Sequence, residues 1–449
     1  MKNKSFLKIG SFILCLLLGA PNGLFAQATT PPVTPPKEDS ASPDAPAKES
    51  PLTLEDCYQL ALIQSETVAI QKEMISRATA QMFLATSQAL GKVDFVSTRN
   101  LQDSGVASGS GGTTIYNDPD VSERSFVVNQ PLFQGFKALG ALTAAGNYKK
   151  QQREAWIRAK ELLYRDVALG FYSVLRFQND LRINRDIHEL LKQRIKELEE
   201  REKIGRSRAS EVATAVTSLK QLEADLAGSK GALATAQFYL EYLIGGSIEG
   251  KKLQDVQSQD LTLKPLSDYL KFINTRPDVL AAEHGVKVAK SGILVAQSGF
   301  WPTISLNNSW YTHREGNLSN ANWDLLFTMD VPIFSGTATI GQLKDSISVF
   351  KQQKLSFSQV RRQAELEIKQ SYDSWRFSRE QYLALEEAVA SAENNYKLQT
   401  DEYRRSLVNN LDVLAALQSL NNTQQNKNQS FYQMKQDEAR LKVAIGDVA

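Results

Sequence analysis

The chain has 449 residues, of which 42% are hydrophobic and 23% charged, with a formal charge of +2 and two cysteines. So near-neutral a balance carries no electrostatic footprint for nucleic acid. Beyond the first 26 residues no apolar run approaches the roughly 20 residues of a spanning helix, so any membrane crossing falls to strands.

Residues 1–26 read as a secretory signal peptide: Lys2, Lys4 and Lys8, an apolar run from Phe12 to Leu18, then small residues up to Ala26. Cleavage fits after Ala26 and after Ala28 alike. Cys15 lacks the preceding small residues of a lipidated cysteine, so Cys57 alone survives processing and the formal charge falls to −1 with the three lysines. A single thiol closes no internal disulfide, which leaves stability to packing or assembly. Residues 27–51, rich in Pro, Ala, Ser and Thr, predict a disordered or polyproline-like lead-in.

A first repeat is predicted over 52–245. It opens with Thr53 as N-cap and a helix carrying Leu60, Ile63, Thr67, Ile70 and Met74 along one side. Strands follow at about 92–101 and 124–133. The run from Gly135 to about Gly205 has no proline; as one helix it would extend about 105 Å, which calls for a coiled-coil element. In the return helix Leu219, Leu222, Leu226, Ser229, Leu233, Ala236, Leu240 and Leu243 alternate spacings of three and four, a coiled-coil seam. After a linker at 246–266, a second repeat over 267–449 reads helix, strands at about 302–312 and 322–333, a proline-free run from Gly336 to about Tyr403, and a return helix to Ile445. Its stretch from Gln418 to Ser430 is rich in Asn and Gln; a lumen-facing or inter-subunit polar surface is one reading.

The two repeats keep register. Gln130-Pro131-Leu132-Phe133 returns as Val331-Pro332-Ile333-Phe334, Glu211-Val212 as Asp412-Val413, and Ile244-Gly245 as Ile445-Gly446, each 201 residues on. Leu90-Gly91-Lys92-Val93 returns as Trp301-Pro302-Thr303-Ile304 at 211, so the first copy holds ten extra residues. They are expected in an exposed, mobile Gly- and Ser-rich loop around Ser104 to Thr113. A period this long marks a doubled domain rather than a short-repeat solenoid.

The strands alternate. Trp323, Leu325, Phe327, Met329 and Val331 share one face, while Asp324, Leu326, Thr328 and Asp330 share the other; Ile304, Leu306, Asn308 and Trp310 likewise oppose Thr303, Ser305, Asn307, Ser309 and Tyr311. One apolar and one polar face is the pattern of a barrel strand in an outer membrane, with Trp301, Trp310, Tyr311 and Trp323 near the strand ends as interfacial aromatics. A soluble four-stranded sheet is the competing reading. Open sheet edges in hydrocarbon cost several kcal/mol for each unpaired backbone group, and four strands cannot close around a lumen. A barrel therefore takes several chains, and three would supply twelve strands.

With these landmarks in place, the span from Leu52 to Gly446 resembles the TolC family of outer-membrane factors. The stretches from Gln130 to Gly135 and from Val331 to Gly336 resemble the family's strand-to-helix junctions, with Pro131, Gly135, Pro332 and Gly336 as their markers. Thr275-Arg276-Pro277-Asp278-Val279 resembles the start of its second repeat, and Tyr403 to Leu420 its periplasmic tip. The resemblance implies a mainly α protein with transmembrane β: duplicated long antiparallel coiled-coil helices plus four strands per protomer, forming a 12-stranded barrel and an α-helical tunnel as a homotrimer. It also implies a conduit embedded in outer-membrane lipid with a long periplasmic extension. Such a conduit takes cargo from an inner-membrane pump or ABC transporter, through a periplasmic adaptor protein, in efflux or type I secretion.

At the entrance the family's two acidic rings map to Asp412 and to Ala415, so one ring is absent. Its closure network maps to Tyr403 and to the Ser210-Glu211 pair, while Val408 stands where the family has an arginine; Arg208, Arg404 and Arg405 lie near enough to substitute. Asp412 also reads as a solvated helix charge or a cap at the turn, Glu211 as a charge on an exposed face, and Tyr403 as packing. The cluster Arg201, Lys203, Arg206 and Arg208 reads as a solvated face or a contact for adaptor or cargo.

No enzyme reading emerges. His188, His284 and His313 share no metal-ligand spacing, Cys57 has no local histidine, and the glycine-rich stretch from Gly105 to Gly112 lacks the Gly-Lys-Ser/Thr ending of a phosphate loop. No cofactor and no catalytic residue are expected. The alternative to a conduit is an exported periplasmic helical adaptor or scaffold that never spans the membrane.

Overall fold

The computed structural model describes residues 51–101, 103, 106–108, 114–116, 120–256, 262–316 and 319–447. The predicted signal peptide and all of the lead-in but Pro51 lie outside them. Helices α1 (Leu54–Gln64) and α2 (Glu66–Ser87) lead into β1 (Lys92–Leu101), β2 (Val106–Ser108), β3 (Thr114–Tyr116) and β4 (Asp120–Gln134). Next come α3 (Lys137–Lys203), α4 (Ala209–Ile244), the short α5 (Leu266–Leu270) with a 3-10 turn at Lys271–Thr275, and α6 (Pro277–Gln297). Strands β5 (Thr303–Arg314) and β6 (Trp323–Asp330), then α7 (Ala338–Arg404) and α8 (Asn410–Ile445), complete the order.

Helices α3 and α7 each hold 67 residues and α4 and α8 each hold 36, so every one of these helix ends recurs 201 residues on. At 1.5 Å per residue each long helix runs about 100 Å. Each buries a stripe against its return helix, and such packing supplies most of a helix's stability in a protein. The α4 seam is as its spacing requires: Leu222, Ala236 and Leu240 are buried and the other five members half-buried. Both return helices stop at a glycine in the left-handed region, Gly245 (φ +68) and Gly446 (φ +75), where a side chain would be strained.

The predicted first helix is two. Ser65 ends α1 and caps α2, its hydroxyl accepting from the Val68 N–H at 3.3 Å. The side that carries Ile63 and Ile70 faces outward, at 85% and 56% exposed, while Cys57, Tyr58, Ala61, Val68, Ala78 and Ala85 are buried. Small and aromatic residues let α1 and α2 lie close against α3, and the larger aliphatics face away from the protomer.

The Asn- and Gln-rich stretch is an internal network within the protomer. Asn421, Asn428 and Ser430 are buried; Asn428 Nδ2 donates to the Arg176 carbonyl at 2.9 Å and to Asp180 Oδ1 at 2.6 Å, and Gln425 Nε2 to Asn184 Oδ1 at 2.6 Å. Such side chains in a helical seam specify register more than they add stability. The ten-residue insertion also departs from a plain loop. Its flanks pair as an antiparallel ladder, Val106 with Tyr116 and Ser108 with Thr114, and residues 109–113 lie outside the described ones.

Candidate functional site

Two places are candidates for the functional site. The first is a four-stranded antiparallel sheet in the order β1-β4-β5-β6, in which β4 and β5 pair the first half of the chain with the second. Register puts Val93 opposite Val128, Phe95 opposite Phe126, Phe126 opposite Trp310, Trp310 opposite Trp323 and Leu306 opposite Phe327. Successive side chains alternate faces, so these residues, with Leu325 and Met329, form one largely apolar face that also carries Asn308 and Gln130. Phe95, Phe126, Trp310, Trp323, Leu325, Phe327 and Met329 are all about half exposed on it. A contiguous apolar face of this size belongs against another molecule or a lipid phase. Trp301 forms one border, edge-on to Phe136 at 5.9 Å, with Phe136 edge-on to Phe133 at 5.4 Å; Trp310 and Trp323 form the other. Nine residues separate Trp301 from Trp310, about 30 Å along a strand, and a tilt of about 40° reduces this to about 23 Å, near the height of an outer-membrane apolar band.

Strand limits differ from the sequence expectation at the start of β4 (Asp120 against about 124), the end of β5 (Arg314 against about 312) and the end of β6 (Asp330 against about 333). β4 reaches Gln134, pairing with Thr303 across an irregularity at Pro131/Phe133, where the proline has no N–H to give. β6 stops at Asp330, and Pro332 lies outside it with Ile333 and Phe334 almost fully exposed. The reason is positional: β4 has a neighbour on each side, whereas β6 is an edge strand with no partner to extend its ladder. Both junction glycines take positive φ, Gly135 at +59° and Gly336 at +65°. A side chain at Gly135 would also meet the Ser298 carbonyl and Trp301 Cβ at 2.7 Å.

The second place is the turn of each helical hairpin. At α3–α4, the Gly205 N–H donates to the Glu202 carbonyl (2.9 Å) and the Arg206 N–H to that of Arg201 (2.8 Å); at α7–α8, Ser406 donates to Tyr403 (3.0 Å) and Leu407 to Glu402 (2.9 Å). Both are Schellman caps. Gly205 has φ +69 and its counterpart Ser406 has φ +63. Asp412 is exposed in the first turn of α8 and completes a capping box: its N–H donates to Asn409 Oδ1 at 3.1 Å and its carboxylate accepts from the Asn409 N–H at 3.2 Å. Ala415 is exposed as well. Ser210 is exposed, and Glu211 accepts from Ser207 Oγ at 2.7 Å. No hydrogen bond joins Tyr403 to either among the described residues.

Tyr403 is buried in an apolar cluster with Ile195, Leu198, Val413 and Leu417, and Val408 packs against that cluster. The arginines that meet its ring are Arg194 and Arg201, with guanidinium carbons 3.9 and 4.6 Å from the ring centroid. Of the arginines that lie near enough to substitute, Arg208 and Arg405 are exposed, and Arg404 pairs with Asp401 at 3.6 Å. Arg194 had a sequence signal that composition alone hides. With Asn184, Ile187, Leu191 and Leu198 it sits on a three-four seam of α3, a charge where a core residue belongs.

Farther along, the Thr275–Val279 motif anchors the second half. Arg276 is fully buried, donates to Asp278 Oδ1 (3.0 Å) and Oδ2 (2.6 Å) and to Glu367 Oε2 (2.8 Å), and caps the end of α8 through the Ala444 carbonyl at 2.9 Å. Arg158 caps the same end through Val443 O at 2.8 Å and pairs with Glu161 at 2.9 Å. Cations at a helix C-terminus match its dipole. Burial pushes the Asp278 carboxyl up, but the Arg276 hydrogen bonds and charge outweigh it and hold the group below its ordinary value. Burial dominates at Glu161 and raises it.

Comparison with known proteins agrees with this geometry. Residues 271–447 match the family model of the outer membrane efflux protein. The second half of the chain thus matches the outer membrane efflux protein family. It is 24% identical over 316 residues to the cation efflux system protein CusC of Escherichia coli, covering 67% of this chain and 69% of that one. It is 25% identical over 238 residues to the toluene efflux pump outer membrane protein TtgC of Pseudomonas putida, covering 49% and 47%. The crystal structure of the outer membrane protein VceC from Vibrio cholerae superposes with a TM-score of 0.77 over 88% of this chain and 96% of that one, at 19% identity. The protein is thus an outer-membrane channel protein with long periplasmic helices, not an enzyme, and the reading as a membrane-free periplasmic adaptor is not favoured.

Proposed function

We propose that three copies of this chain close a 12-stranded barrel, continued by their helical hairpins as a tunnel, and that this channel is the exit duct of a tripartite efflux system. The observation that carries the reading is the sheet: one face largely apolar, edges at β1 and β6, and too few strands to close alone. In hydrocarbon those edges must be paired, and joining β6 of one copy to β1 of the next does so with threefold closure. The partners are an inner-membrane pump and a periplasmic adaptor that meets the hairpin turns. Efflux is favoured over type I secretion because CusC and TtgC, to which the chain is similar, are efflux proteins. Residues 52–245 and 267–449, joined by 246–266, are the two repeats of the duplicated unit.

Asp412 lines the entrance in this reading, with Tyr403, Ser210 and Glu211 at the closure contacts and Pro131, Gly135, Pro332 and Gly336 at the strand-helix junctions. Crosslinking of the detergent-extracted protein with mass measurement tests the assembly, and a native-like monomer soluble without detergent would rule the barrel out. Asp412→Asn keeps an acceptor for the Asn409 N–H while removing charge. It should lower cation preference in planar bilayers; unchanged selectivity there, with a change for Glu211→Gln, would move the constriction to the first repeat.

A further inference from the structure

Far from both the sheet and the hairpin turns, a cavity of about 1300 Å³ opens where α2 begins and α4 ends. Helices α2, α3, α6 and α7 pack as a row, each against the next, and the first and last of them both line this cavity. A row whose two ends share one cavity curves over it, so this face of the helical wall is concave. In a tube the concave face of the wall is the one that looks into the lumen. The other side of α3 is covered by α1, with Tyr58 edge-on to Tyr164 at 5.2 Å, which leaves the cavity side open.

The lining has a definite chemistry. Tyr239 and Tyr242, one turn apart on α4, stand in one wall with 47% and 77% of their surface exposed, and Leu162 and Val360 add apolar surface. Neither tyrosine hydroxyl makes a hydrogen bond among the described residues. The cations of the lining are already engaged: Arg165 pairs with Asp166 at 2.8 Å, and Arg158 pairs with Glu161 at 2.9 Å and donates to the Val443 carbonyl at 2.8 Å. Asp278 is held by Arg276 at 2.6 Å. Glu66, in the first turn of α2, is exposed and has no ion pair or hydrogen bond among the described residues. Two open ring faces and one uncommitted carboxylate favour a cation, whereas an anion would meet Glu66 and find both arginines taken. The volume exceeds the roughly 300–1,000 Å³ of an ordinary small-molecule site, so a drug-sized guest is held loosely. A conduit needs loose holding, since what enters has to leave.

We propose that this cavity is a transit site for aromatic organic cations of drug size, with Tyr239 and Tyr242 receiving the guest on their rings and Glu66 balancing its charge. This rests on the reading of the helices as the wall of a tunnel, and it names a class of cargo for that tunnel.

Fluorescence anisotropy of ethidium with the detergent-solubilised protein tests it, with protein-free micelles as the baseline and fluorescein as the anionic probe. Ethidium should bind saturably and more tightly than fluorescein. Tyr242→Ala and Glu66→Gln should each weaken ethidium binding about three- to fivefold, the range of an exposed cation-ring or charge contact. Phe238→Ala should bind as the wild type does, because that ring is 68% exposed on the same helix but lies outside the cavity. Crosslinking checks the assembly of each variant, and Tyr242→Leu, which keeps apolar bulk without the ring, serves with the same expected loss if Tyr242→Ala fails to assemble. Unchanged ethidium binding in the Tyr242 and Glu66 variants, or an equal loss in Phe238→Ala, would overturn the site. Fluorescein bound as tightly as ethidium would overturn its preference for cations. Conductance in planar bilayers separates this from the channel reading: stepwise conductance without the expected losses removes the site and leaves the channel standing. The expected losses in a protein that never conducts would keep the pocket and overturn its place in a tunnel.

Discussion

The two Schellman turns form a matched pair with one difference, Gly205 in the first and Ser406 in the second, both in the left-handed region. A non-glycine residue there costs about 1–2 kcal/mol. Glycine gives back about 0.4–1 kcal/mol through its freer unfolded chain, so the net preference for glycine is about 1 kcal/mol. A Cβ at Gly205 would meet nothing within 4 Å, so no steric term enters. Gly205→Ser should therefore loosen the α3–α4 turn by about 1 kcal/mol and Ser406→Gly should tighten the α7–α8 turn by the same amount. In amide hydrogen exchange under rapid reclosing, about 1 kcal/mol is roughly a fivefold change in local opening. Arg206 and Leu407, whose N–H groups donate into the two caps, are the amides to follow. Exchange at Arg206 should quicken about fivefold in the first variant, and that at Leu407 should slow about fivefold in the second. Changes of the same sign in both, or none, would refute the reasoning, since the two substitutions are the same conformational exchange run in opposite directions.

Arg276→Met should be the most damaging single change in the second half, at about 3 kcal/mol, the low end for breaking a buried ion pair because Glu367 retains contact with water; an unchanged denaturant midpoint for the assembled protein would refute it. The Asp278 carboxyl sits below its unfolded value of 3.8. The stability it contributes is full above that pH and is lost as pH falls through the lower folded value, so Asp278→Asn should flatten the acid limb of the stability profile below about pH 4. Glu161 has the opposite sign, since its raised folded value makes its ionisation cost stability as pH climbs past 4.5; Glu161→Gln should remove that loss. Cys57 is fully buried, and burial pushes its thiol up to about 11. A maleimide at pH 7.5 should leave the native protein unlabelled and react once it is unfolded; rapid labelling of the native state would show that α1 does not stay packed on α3.

Much of the chain's plan is written in local pattern. The α4 seam, the long proline-free helices, the alternation of apolar and polar residues in β5 and β6, and the recurrence of landmarks at 201 residues are all properties of spacing, and backbone geometry converts spacing directly into faces. The capping boxes at Thr53 and Asn409 are local in the same way. What spacing leaves open is which face meets a partner. Ile63 and Ile70 form as good a helical stripe as Cys57, Ala61 and Val68, and only close approach to α3 decides that the smaller residues go inside. The end of β6 at Asp330, against β4 running on to Gln134, follows from sheet order, since a ladder extends only where a neighbour supplies its hydrogen bonds. The polar residues of α8 turn inward because α3 offers Asn184 and the Arg176 carbonyl at matching heights. Arg194 meets Tyr403 and Asn410 across more than 200 residues of sequence. Contacts so distant in the chain leave no periodic trace; they exist because packing two hairpins side by side brings one charged seam residue under an aromatic ring.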